Sequence, residues 1–241
     1  MSGADEVTEN QDATASSWFG VRVHRRQFLA PDIVSLELES ASGEPLPGWS
    51  AGAHVEVGFS NTISRCYSLC GDPDGGGFYR LVIHLELGGV ASQLLATSME
   101  EGTRLRIRVS KNDFVLDESA PHSLLIGGGM GVTPLIAMAY RLRRLGRSFV
   151  LHFSVRTRAR AILVDEFALA FGERFELHSD DGSAGPPIDV AALVEKLPEN
   201  TAVYFCGPEA FMDMVRQRAT QAGVKPERLH AEAFSIRSPR P

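Results

Sequence analysis

Cysteine is scarce: Cys66, Cys70 and Cys206 are the only three among 241 residues. So few, and an odd number, cannot staple a chain of this length, which excludes a disulfide scaffold and fits a reducing, cytoplasmic setting. Positive charge is short as well, with 24 Lys and Arg against 30 Asp and Glu for a net charge of −6. The arginines are scattered among acids, so no broad electropositive face for nucleic acid is expected. Long apolar runs are missing too. The most hydrophobic window, Leu124 to Tyr140, is interrupted by four glycines and a proline, and reads as strand, turn and helix instead of a membrane span. Residues 1–17 are polar and acidic with no apolar stretch, the pattern of a disordered leader and not of a signal or transit peptide. What remains, 44% apolar and 22% charged, is the composition of an ordinary globular protein long enough for two domains.

From residue 18 to 117 the dominant signal is alternation, the period of a half-buried strand. Val34, Leu36 and Leu38 alternate with polar residues, as do Ala53, Val55, Val57 and Phe59, then Tyr79, Leu81, Ile83 and Leu85, then Leu105, Ile107 and Val109. With Val21 to Phe28 and the stretch Tyr67 to Cys70, that makes six strands separated by Gly/Pro/Asp turns, which predicts a six-stranded antiparallel β-barrel.

From 118 to 236 the period changes. Short apolar strands at Leu124 to Ile126, Phe149 to Val155, Phe175 to His178 and Ala202 to Cys206 alternate with amphipathic segments. A helix is expected from Thr133, with its hydroxyl as N-cap, Pro134 at the first helical position and Gly146 as the stop. Two more are expected over Asp189 to Leu197 and Glu209 to Ala222, with Gly223 beyond. This order predicts an α/β parallel-sheet domain with helices on both faces, followed by a tail at 237–241.

Three constellations could carry chemistry. Gly127, Gly128, Gly129, Met130, Gly131, Val132, Thr133 and Pro134 join a buried strand to a helix, where backbone N–H groups and the helix dipole attract a pyrophosphate. The run is neither the G-x-G-x-x-G fingerprint nor a P-loop, and a tight turn without a ligand is the alternative. Arg65, Cys66, Tyr67 and Ser68 place a cation on an apolar barrel wall, and Gly88, Gly89, Val90, Ala91 and Ser92 offer backbone and hydroxyl donors suited to a phosphate. A surface salt bridge for Arg65 and wall packing for Tyr67 are the plainer readings. Cys206, Gly207 and Pro208 end a parallel strand, the edge where α/β sheets bind ligands, although a buried inert thiol would look the same.

Taken in this order, R-x-Y-S, G-G-x-x-S, G-G-G-M-G-V-T-P, H-x-D-D-G and C-G-P resemble the ferredoxin-NADP reductase superfamily, most closely its phthalate dioxygenase reductase branch. The resemblance covers roughly residues 19 to 236. It implies that Arg65 binds a flavin phosphate, that Cys66, Tyr67, Ser68 and Leu69 lie along the flavin with Ser68 near N5, and that Gly88 to Ser92 close over the phosphate and ribityl chain. It implies that Gly128, Gly129, Met130, Gly131, Val132 and Thr133 cradle the pyrophosphate of a pyridine nucleotide, with Cys206, Gly207 and Pro208 around the nicotinamide. Ser68 and Cys206 are then the catalytic candidates, and Glu232 and Phe234 the residues ending the second domain beside the flavin. Ser110 to Phe114 are similar to the FMN-using branch, whereas FAD-using relatives carry G-P-x-G-x-F there; FMN is therefore expected, with FAD the alternative. NADH is expected over NADPH from the branch and from Asp180 and Asp181, while Arg156, in the run after the second strand, could pair with a 2′-phosphate.

The branch's type members end in a ferredoxin module with C-x4-C-x2-C spacing, and nothing of that kind occurs in these 241 residues. The expectation is an NADH-dependent flavin oxidoreductase, the reductase component of an oxygenase system, that hands single electrons to a separate ferredoxin or oxygenase, either as a natural two-domain form or as a truncated one. A non-catalytic flavin subunit of a larger complex, resembling the flavin subunit of dihydroorotate dehydrogenase, is the second reading, and a flavin-free module that keeps the fold alone is the third.

Overall fold

The structure is a computed structural model that describes residues 17–60, 62–85 and 99–233. The expected leader up to residue 16, the tail at 237–241, the stretch Gly88, Gly89, Val90, Ala91 and Ser92, and Phe234 lie outside the described residues.

Six strands form one antiparallel sheet: β1 (Phe19–Ala30), β2 (Ile33–Ser40), β3 (His54–Gly58), β4 (Ser64–Ser68), β5 (Tyr79–His84) and β6 (Arg104–Val109), in the order β4-β3-β6-β1-β2-β5. The alternation does what its period requires, sending Val21, Val23, Leu36, Leu38, Val55, Val57, Tyr79, Leu81, Ile83, Leu105 and Ile107 into a shared core. β4 starts and ends earlier than Tyr67 to Cys70 suggests. Leu69 and Cys70 leave its ladder, and their N–H groups go to Ala53 O at 2.9 Å and Arg80 O at 2.8 Å. The second bond ties the exit of β4 to β5, the other end of the sheet, and so draws the sheet toward a barrel.

The second sheet is wholly parallel: β7 (His122–Gly128), β8 (Ser148–Val155), β9 (Phe175–Ser179), β10 (Ala202–Gly207) and β11 (Leu229–Ala233), in the order β11-β10-β7-β8-β9. Its helices are α1 (Val132–Arg144), α2 (Val164–Phe171), α3 (Val190–Glu195) and α4 (Glu209–Gln221). α1 and α2 cover one face and α3 and α4 the other. The chain turns one way after β7 and the other way at β10, so a topological switch point lies between them.

Two local expectations need correction. Thr133 is not the N-cap of α1: Gly131 is, the helix starts at Val132, and the Thr133 hydroxyl donates to Met130 O at 2.9 Å. Pro134 is therefore the third helical residue, still within the turn whose N–H groups have no intrahelical acceptor. α2 and β11 are additional to the expected elements. Asp189 does cap α3, accepting from Ala192 N at 3.1 Å.

The two halves share one core. Ile33, Cys70, Val82, Phe114 and Leu116 from the first half pack with Leu135, Met138, Leu142, Tyr204 and Cys206 from the second. Charged pairs ring it: Arg80 with Glu166 at 2.7 Å, Arg141 with Glu118 at 2.7 Å and Asp74 at 3.0 Å, Arg144 with Asp72 at 2.6 Å, and Arg160 with Asp32 at 2.7 Å. Among the described residues, no helix is long and apolar enough to cross a membrane.

Candidate functional site

On β4, Arg65 and Tyr67 stand opposite Val57 and Val55 of β3, while Cys66 stands opposite Glu56. Period two therefore puts Arg65 and Tyr67 on one side of the strand and Cys66, which is exposed, on the other. Arg65 is half-buried, and its guanidinium donates to Ser64 O at 2.8 Å. Among the described residues no carboxylate lies within ion-pair distance of it, in contrast to Arg108 on β6, which pairs with Glu56 on the other face of the sheet. A half-buried cation without an acid is what an anionic phosphate would satisfy. Tyr67 is half-buried and meets Phe59 edge-on, with ring centroids 6.5 Å apart. Ser68 is buried, and the Leu69 side chain belongs to the barrel core.

The glycine turn after β7 is built differently from what phosphate contact alone would ask. A Cβ on Gly127 would lie 2.7 Å from Val132 Cα, one on Gly128 2.6 Å from the Phe211 ring, and one on Gly131 2.2 Å from Cys206 O. Gly127 thus lets the turn fold back on the start of α1, Gly128 lets it press against α4, and Gly131 lets it press against β10. Gly129 alone has φ of +54° with open space around its missing side chain. Beyond it, α1 begins with no side-chain cap and no acid in its first turn; the Val132 N–H already closes the preceding 3₁₀ turn on Gly129 O and Met130 O and Pro134 has none, so what this end offers an anion is chiefly the positive end of the dipole.

Across the switch point, Cys206 pairs in register with Gly127 on one side and Glu232 on the other. Its thiol is fully buried, and burial, together with the Glu232 carboxylate, pushes its pKa well up. Glu232 itself is pushed up to about 7, first by burial and then by Asp113 in the segment leading into the second sheet. Gly207 is held by the Phe211 ring, 2.8 Å from where its Cβ would sit, and Pro208 is the N-cap of α4. The exit of β4 (Cys70) and the end of β10 (Cys206) thus both contribute a buried thiol to the shared core.

Arg156 and Asp181 lie together at the carboxyl ends of β8 and β9, where Asp181 N donates to Arg156 O at 3.3 Å. The Asp181 carboxylate accepts from Ser183 N at 3.0 Å and the Ser183 hydroxyl at 2.6 Å, and these bonds lower its pKa. Three features escaped the sequence reading: Asp113 beside Glu232, the Arg80–Glu166–Tyr140 cluster between the halves, and a His152–His178 contact in the second sheet. Each joins residues far apart along the chain. Only the strand-period placement of the two histidines left a trace in the sequence.

The family model for the oxidoreductase FAD-binding domain matches residues 21–115. The chain is 35% identical over 220 residues to the phenoxybenzoate dioxygenase subunit beta of Ectopseudomonas oleovorans, covering 90% of this chain and 67% of that one. It is 34% identical over 217 residues to a vanillate O-demethylase oxidoreductase of a Pseudomonas species, covering 89% and 68%. Among solved structures, phthalate dioxygenase reductase, described as modular for electron transfer from pyridine nucleotides to [2Fe-2S], superposes with a TM-score of 0.84 at 30% identity, covering 92% of this chain and 70% of that one. The chain spans about two thirds of the length of these relatives.

Proposed function

The chain belongs to the phthalate dioxygenase reductase-like family of flavin oxidoreductases, and on that premise we propose that it oxidises NADH and delivers single electrons to a separate ferredoxin or oxygenase protein. The observation that carries this reading is that β4's exit and β10's end both feed one interdomain core. The barrel half contributes Arg65, which has no acid partner among the described residues, and the second half contributes a helix start without a side-chain cap.

When bound, a flavin supplies the conversion of one two-electron input into two one-electron outputs. The protein's part is positioning. Arg65 binds the flavin phosphate, Tyr67 offers a ring face, and Ser68 supplies a hydroxyl on the same strand. The start of α1 and the turn at Gly128, Gly129, Met130, Gly131, Val132 and Thr133 hold the nucleotide pyrophosphate with backbone N–H groups. Cys206, Gly207 and Pro208 border the nicotinamide, and Glu232, its carboxyl pushed up to about 7 by burial, can take up or release a proton beside Cys206 near neutral pH. The apolar interface keeps water from the transfer. Gly88 to Ser92 and Phe234 belong to the same proposal, as the phosphate closure and a ring cap.

For the flavin we favour FMN, because Ser110 to Phe114 replace the G-P-x-G-x-F of FAD-using relatives. Asn112 in this stretch is committed to the barrel, with Nδ2 donating to Ser50 Oγ at 2.9 Å and Ala51 O at 3.0 Å. For the nucleotide we favour NADH, since the Asp181 carboxylate at the sheet edge disfavours a 2′-phosphate. The three free thiols, one exposed, support a cytoplasmic setting.

Anaerobic titration of the purified protein with NADH and with NADPH, following the flavin spectrum and weighing the released flavin, tests all of this. Faster bleaching by NADH and an FMN mass are expected. Faster bleaching by NADPH overturns the nucleotide, an FAD mass overturns the flavin, and the absence of any flavin overturns the function.

A further inference from the structure

On β8 and β9, Leu151, Phe153 and Leu177 point into the core shared by the two halves. Alternation sends His152, Glu176 and His178 to the opposite face, away from the redox interface. The parallel register sets Glu176 beside His152 and His178 beside Ser154. There His152 Nδ1 lies 2.9 Å from His178 Nε2, and a Glu176 carboxylate oxygen lies 3.6 Å from the first nitrogen and 4.0 Å from the second. The two rings are buried, at 2% and 8% exposure, and the carboxylate opens to solvent with its side chain 54% exposed.

We infer that His152 Nδ1, His178 Nε2 and a Glu176 oxygen form a binding site for a divalent transition-metal ion of the zinc type, with the fourth position open to water beside Glu176. Ligands about 2.0–2.1 Å from a tetrahedral zinc stand about 3.3–3.4 Å from one another. The edges observed here, 2.9, 3.6 and 4.0 Å, straddle that value, so side-chain adjustments of a few tenths of an ångström suffice. The support behind one ligand is already in place. His178 Nδ1 lies 3.2 Å from Pro186 O, and a carbonyl only accepts, so Nδ1 carries the ring proton and Nε2 presents a lone pair. Such a backbone partner is the usual device that orients a metal-bound histidine. The proton that His152 Nδ1 now shares with His178 moves to His152 Nε2, and the metal takes its place between the rings. Two imidazoles and one carboxylate suit zinc, copper or nickel over calcium or magnesium. The ion would pin the turn carrying Asp181 and Pro186 to the sheet.

The test is calorimetric titration of the full chain with its flavin, after chelator treatment, using Zn²⁺. Co²⁺ spectra read the ligand type. One saturable equivalent is expected, with cobalt bands lacking thiolate charge transfer. Glu176→Gln, at an exposed position that leaves the core intact, should weaken binding roughly tenfold or more. His178→Gln should abolish it, and Cys66→Ser should leave it unchanged. Absence of a saturable equivalent, unchanged affinity in Glu176→Gln, or loss of binding in Cys66→Ser overturns the site.

Discussion

The two halves of the proposed site are made of different materials. On β4 the proposed recognition elements are side chains, with Arg65 and Tyr67 on the same side of the strand. At the β7 and β10 turns they are backbone, where Gly131 packs on the Cys206 carbonyl and Gly128 and Gly207 on the Phe211 ring, while Gly129 keeps open space around it. A side-chain site can lose its ligand and keep its fold, whereas a backbone site cannot be altered without disturbing the sheet beneath it. Gly131→Ala tests this most severely. Its Cβ would lie 2.2 Å from Cys206 O, and since a backbone carbonyl cannot turn aside, a loss of about 3 kcal/mol is expected, seen as a Tm lowered by roughly 6–12 °C. Gly129→Ala meets only its positive φ and should cost about 1 kcal/mol. Equal losses at the two positions would remove close packing as the reason for the glycines.

Arg65→Ala probes the other side. Loss of a charge-assisted bond should raise the flavin Kd by about 10–100-fold, equivalent to about 1.5–3 kcal/mol. The flavin-stripped protein should melt where the wild type does. A lowered Tm in the stripped variant would make Arg65 a structural residue and erase the contrast. Cys206→Ala sits between the two kinds of site, a side chain locked in the backbone crevice. Flavin should stay bound while stopped-flow reduction by NADH slows about tenfold. Flavin loss, with the rate unchanged in what remains, would assign Cys206 to packing.

The same division explains how much could be read from the chain. Strands of period two announced themselves, as did the parallel order of the second sheet and the glycine turn before α1. The R-x-Y-S strand was legible because its side chains carry the signal. The reason for the glycines was not: Gly131 answers to Cys206 and Gly128 to Phe211, contacts that exist only once β10 is laid beside β7. Thr133 looked like an N-cap because its type is right, yet the preceding 3₁₀ turn shifts the helix start and offers its hydroxyl a carbonyl first. α2 is only eight residues long, starting after Leu163 with its φ of 53°, a conformation no local pattern announces. His152 and His178 are 26 residues apart, and their meeting depends on the register between β8 and β9.

Glu232 gives the smallest effect and qualifies the contrast, since it places one titratable side chain within the backbone-built side. Burial, and then Asp113, raise its carboxyl in the fold to about 7 from the ordinary 4.5. A raised carboxyl means that the folded protein binds the proton more tightly, so its contribution to stability is fully present below about pH 4.5 and is lost as pH rises through about 7. β11 is an edge strand, and with solvent screening there the loss amounts to about 1 kcal/mol. Burial holds His152 at about 4, which pulls the other way over an overlapping range, so the informative quantity is a difference between proteins. The Tm of Glu232→Gln minus that of the wild type should grow between pH 4.5 and 7 and then level off. A difference that stays flat across that window would mean that Glu232 ionises as it does in water, leaving the crevice to glycine, backbone and the Cys206 thiol alone.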